Sequence, residues 1–180
     1  MKYFGAFFAF LFGSVLLLGQ SAPQAHLSPE YKKWVTDDVR WIITTQERQD
    51  FIRLTSNQDR DRFIAAFWER RNPNPHSTVN AFKEEHYRRL AFANQHFAAG
   101  KAGFKTDRGR IYVVYGPPDS IVARPATSVS APIEVWSYHH MKGGGDEVHL
   151  KFVDECYCGD YDLETTLPNN LWDNTKTQAQ

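Results

Sequence analysis

Cys156-Tyr157-Cys158 is the sharpest local oddity in this chain, and these are its two cysteines. A bridge across one residue closes a small ring, and ring strain makes such a bond reducible. Three states compete: a strained structural or redox disulfide, two free thiols in a turn, or a soft-metal site. Cys-x-x-Cys and a thioredoxin-like βαβ pattern are both lacking, which speaks against an oxidoreductase. A second cluster lies at Asp107, Arg108 and Arg110, beside Tyr115 and Gly116. Guanidinium groups suit carboxylates and phosphates through paired donors, so these residues form a candidate anion-binding corner. The competing account has Asp107 closing a turn while the arginines pair with helix carboxylates. His139, His140, Asp146 and His149 offer imidazoles and a carboxylate across one hairpin. Their spacing fits no zinc motif, and adjacent histidines diverge on a strand, so no metal site is assigned. No cofactor is implied. HExxH, GxSxG and a phosphate-cradling glycine loop are absent from the sequence.

The elements that position these residues divide into helices first and strands after. Ser28-Pro29 starts a short helix reaching about Trp34, and Val39 to Ile43 is a strand or a buried connection. Thr44 and Glu47 match a capping box that opens the next helix. Ser56 caps a third, with Phe63, Ile64, Phe67 and Trp68 on one face. Asn80 caps a long helix carrying Phe82, His86, Leu90, Asn94 and Phe97, and Gly100 follows its end. Glu69, Arg70 and Arg71 are accounted for by the helix dipole and carry no assigned function.

Thr106 to Gly109 reads as a tight turn in which Gly109 supplies positive φ. Arg110 to Tyr115 then reads as a strand, apolar on both sides and so central in a sheet, ended by Gly116-Pro117-Pro118. Ile121–Arg124 is a weak strand and Ile133–Tyr138 a better one. His139–Asp146 is a flexible loop, Val148, Leu150 and Phe152 mark a strand with one wet face, and Tyr161 with Leu163 a last one. The order predicts an α+β fold, N-terminal helices packed on a C-terminal antiparallel sheet.

The stretch Gly103 to Pro118, reading GFKTDRGRIYVVYGPP, resembles the signature of the GWxTD domain family, exported bacterial proteins of unassigned activity. Phe104 stands where the family name has Trp, which keeps the ring and loses the indole N–H. Trp34–Asp37, Glu47-Arg48, Phe67-Trp68 with Arg71, and Glu85-His86-Tyr87 are also similar, so the resemblance spans roughly residues 30 to 165. It implies no catalytic residue.

Residues 1–25 are read as a signal peptide: Met1-Lys2, then an apolar run of fifteen residues from Phe4 to Leu18, where a bilayer-spanning helix needs about 20. The alternative is an uncleaved anchor. The domain is expected over 26–167, with a polar tail over 168–180. The whole chain's formal net charge of +0 gives no electrostatic case for nucleic acid or an anionic membrane, so membrane contact would come only through an uncleaved signal segment. The expected product is a periplasmic or secreted protein, a non-catalytic binding or assembly module with a cell-envelope protein partner. The alternative is a hydrolase with a cleft between helices and sheet, drawing on Asp107, Glu47, His86 and Arg108.

Overall fold

A computed structural model describes residues 27–165. The signal-peptide assignment over 1–25 and the tail over 168–180 lie outside the described residues. Element order is helices, then sheet: α1 (Pro29–Lys33), a π-helical turn (Trp34–Asp38), α2 (Thr45–Arg53), α3 (Asn57–Glu69), α4 (Ala81–His96), a 3₁₀ turn (Gly103–Lys105), α5 (Asp107–Tyr115), then β1 (Ser120–Arg124), β2 (Ile133–Met141), β3 (Gly145–Val153) and β4 (Asp162–Leu163). The four strands pair antiparallel in sequence order, so β1 is an edge and β2–β3 is the centre. The fold is α+β, as its element pattern indicates.

The caps act as their residue types dictate. Thr44 Oγ1 accepts from Glu47 N at 3.1 Å while Glu47 Oε2 accepts from Thr44 N at 3.0 Å. Ser56 and Asn80 accept from Asp59 N and Lys83 N. Val39 and Ile43 are buried in the connection between the π turn and α2, which is not a strand.

The main correction concerns Arg110–Tyr115, which is helix rather than central strand. Thr106 is an N-cap: its Oγ1 accepts from Gly109 N at 3.1 Å, and its own hydroxyl donates to Gly103 O at 2.7 Å. Thr106 to Gly109 is therefore a cap and a first helical turn. A short apolar run bounded by breakers carries no period that distinguishes a buried strand from a buried helix, and here the cap decides. Gly109 does not take positive φ either. Its backbone lies so close to the 3₁₀ turn that a Cβ would sit 1.8 Å from Gly103 O, and a Cβ on Gly103 would sit 1.9 Å from Ala93 O. The two glycines let α4, the 3₁₀ turn and α5 stack backbone on backbone. Gly116, at φ 89°, ends α5.

Three apolar clusters follow. Trp34, Val35, Val39, Ile43, Phe51, Phe67 and Trp68 close the N-terminal helices. Leu90, Ala93, Phe104 and Val113 join α4 to α5. Ile111 and Tyr112 pack on Trp136, Tyr138, Met141, Leu150 and Phe152 of the sheet. The β2–β3 connection is shorter than expected: β2 runs through His139 and His140 to Met141, and the turn is 142–144.

Candidate functional site

Asp107, Arg108 and Arg110 all leave the first turn of α5, and they part there. The Asp107 carboxylate accepts from Leu163 N of β4 at 2.9 Å and pairs with Arg110 at 3.0 Å. The Arg108 guanidinium turns the other way. It donates to Glu134 Oε1 of β2 at 3.0 Å and to Gly159 O at 2.8 Å, and lies 3.9 Å over the Tyr161 ring. Arg110 lies 5.6 Å from the Trp41 ring. Thr106 is 1% exposed and Arg108 9%, so this turn faces a packed interior and not an open cleft. Tyr115, at the far end of α5, is half-buried. Burial pushes its phenol up to about 12, against the opposing pull of Arg110. The arrangement does for the fold what paired donors would do for a ligand: it pins α5 to β2, to β4 and to the loop after β3. Arg108 pairs with a strand carboxylate, Glu134, which sequence spacing gave no means of finding.

The four acid–base candidates are equally dispersed. Glu47 takes a two-pronged bond from Arg71 (2.8 and 3.1 Å) and another from Arg70 at 2.9 Å. Arg71 also donates to Ile42 O and Phe67 O, and its guanidinium carbon lies 3.6 Å over the Phe67 ring. Burial opposes ionisation of Glu47, but the Arg71, Thr44 and Arg70 bonds prevail and hold its carboxyl at about 2. His86 is buried against Trp68 and Phe82, and its Nε2 donates to Asp38 O at 2.6 Å. Burial lowers its pKa, so the ring is neutral and spent on one carbonyl. Among the described residues no hydrogen bond or ion pair joins any two of Glu47, His86, Asp107 and Arg108. Phe104 is buried, and Trp41 Nε1 donates to its carbonyl at 2.8 Å, so this position acts through its ring and backbone.

His139 and His140 pair separately with Glu147 and Asp146, at 2.9 and 2.7 Å, while His149 meets Ser137. The three imidazoles do not converge. Glu147 holds His139 above its ordinary pKa. A concavity of about 520 Å³ opens at the start of α4, lined by Thr78, Val79, Asn80, Lys83, Glu84 and Tyr87. It contains none of the candidates above.

Cys156 and Cys158 are joined as a disulfide. Beneath it lies Asp154, 4% exposed and absent from the candidates named from sequence. Its carboxylate accepts from Cys158 N at 3.0 Å and Gly159 N at 2.8 Å, and Oδ1 lies 3.1 Å from Cys156 Sγ. The signal was present: an aspartate two to five residues ahead of a Gly-containing turn readily takes the turn's N–H groups. Asp154 and the two sulfurs lie close enough for a metal, all within 4.8 Å. Sulfurs bonded to each other are not thiolates, and a thiolate is what a soft metal binds.

No curated protein and no solved structure matches the chain. The family model of the GWxTD domain matches residues 22–164, taking in all five helices, the four strands and the Asp154 loop. This chain belongs to the GWxTD domain family.

Proposed function

We propose that the protein is exported to the cell envelope and works there as a non-catalytic binding or assembly module. Support for export is the basic start and fifteen-residue apolar run at the N-terminus. N-terminal sequencing of the envelope-fractionated protein should find the first 20 to 25 residues gone, and an intact Met1 would contradict cleavage.

The observation that carries the binding role is β1. All five of its residues are exposed, with Ile121 at 52% and Val122 at 54%, and among the described residues its sheet neighbour is β2 alone. An open apolar edge is a template for an added strand, and natural sheets usually cover or charge such edges. The partner that fits is an envelope protein offering an extended segment with alternating apolar side chains. The residues needed for acid–base chemistry are spent on caps, ion pairs and a backbone carbonyl, which favours docking over hydrolysis. Crosslinking in envelope extracts should capture a partner that is lost in the Ile121→Lys, Val122→Lys double variant. A partner retained by that variant, or a monomer that captures nothing, would contradict this role.

A further inference from the structure

The loop from Asp154 to Tyr161 is fixed at its base without help from the disulfide. Asp154 holds Cys158 N and Gly159 N, Asp154 O accepts from Tyr157 N at 3.2 Å, and Arg108 holds Gly159 O at 2.8 Å. At the tip both cysteines are exposed, and Tyr157 between them is 61% exposed with φ at 55°. A bulky residue in left-handed backbone is disfavoured and persists only where its surroundings enforce it. Here the ring closed across one residue adds to the Asp154 bonds on the flanking amides in holding it.

We propose that the Cys156–Cys158 disulfide is a thiol–disulfide exchange site whose substrates are paired thiols on an extended or unfolded protein segment. A client thiolate attacks Cys158 Sγ. The bond to Cys156 breaks, and Cys156 leaves with the electron pair and takes up a proton. A second client thiolate then attacks the client sulfur of the mixed disulfide, closing the client's own disulfide. Cys158 leaves with its electron pair and is protonated in turn. Two electrons and two protons have passed from the client thiols to the protein's cysteines. The Asp154 carboxylate sets where the adduct rests. It lies 3.1 Å from Cys156 Sγ, opposes a bare thiolate there whether arriving or leaving, and accepts the hydrogen bond of the Cys156 thiol once that sulfur is protonated, so at equilibrium the adduct sits on Cys158. Tyr157 offers an aromatic surface beside the bond for the client chain. These are the two cysteines of the sequence, so exchange is stoichiometric, one disulfide per chain. The site is independent of β1 and stands whether or not that edge has a partner.

The test is equilibration of the intact protein with reduced and oxidised glutathione, acid quench and peptide mass mapping. The disulfide should open across a millimolar glutathione series, with the single glutathione adduct on Cys158. A reduced two-cysteine peptide should be oxidised at one equivalent per chain. Tyr157→Gly, which accepts this φ freely at an exposed position, should shift the equilibrium about tenfold toward the disulfide. A disulfide unmoved by glutathione, or a peptide left reduced, overturns the site. An adduct on Cys156 overturns the role given to Asp154, and an unchanged equilibrium in Tyr157→Gly overturns strain as the driving force.

Discussion

Glu47 shows how one carboxylate can serve two joints. Half of its work, the capping box with Thr44, is local and was legible from spacing. The other half is a buried pairing with Arg71, a partner 24 residues away that no spacing rule reaches. The helix dipole accounts for Arg71 only in part; its burial and its bonds to Ile42 O and Phe67 O make it a tie between α3 and the chain entering α2. The acid sensitivity of the domain follows. The Glu47 carboxyl is lowered from 4.5 to about 2 on folding, so its contribution is complete above pH 4.5 and is lost as pH falls toward about 2. Urea unfolding at pH 7, 4 and 3 should therefore show declining stability in the parent. Glu47→Gln should cost about 3 kcal/mol at pH 7, because it strands a buried guanidinium, and should have a flatter acid limb. Equal acid limbs in the two proteins would contradict the pairing.

At the scale of elements, caps were readable and the period of a short run was not. Ser56 and Asn80 start their helices where side-chain oxygen chemistry puts them. Ile111 to Tyr115 offered β-branched and aromatic residues that favour strands, yet they form a helix. The helix is buried on most sides, so no polar face marks its turn, and a glycine in the first turn argued against it. The missing information was tertiary: Gly109 is there because the Gly103 carbonyl is there. The Thr106 cap carries the start of this helix. Thr106→Val should cost about 2 kcal/mol and lower hydrogen-exchange protection of the amides from Arg110 to Tyr115. Protection at those amides that matched the parent would mean that packing alone holds α5. The β2–β3 turn teaches the same lesson in reverse. Three glycines suggested a long loose loop, but the His139–Glu147 and His140–Asp146 pairs let the ladder run almost to the turn.

For the whole molecule, the run of helix signals followed by strand signals was enough to give α+β and an antiparallel sheet, since neither depends on any one element. The layer that covers the sheet was not legible, because the apolar run of α5 fits a central strand as well as a buried helix. With α5 in its place, the family motif becomes a device for packing: one glycine lies on α4, the next on the turn before α5, and an aspartate and an arginine fasten the helix to the sheet. Asp107, Arg108 and Arg110 are the side chains of those fastenings. The proposed roles rest instead on the exposed β1 edge and the disulfide loop, features that depend on which surfaces the packing leaves uncovered. The central claim is that the motif builds the fold by close backbone packing, and urea unfolding of Gly109→Ala tests it most directly. In an uncrowded helix this change would stabilise by about 1 kcal/mol. Here a Cβ would lie 1.8 Å from a backbone carbonyl that cannot yield cheaply, so the account predicts a loss of about 3 kcal/mol or more. Unchanged or increased stability would contradict it.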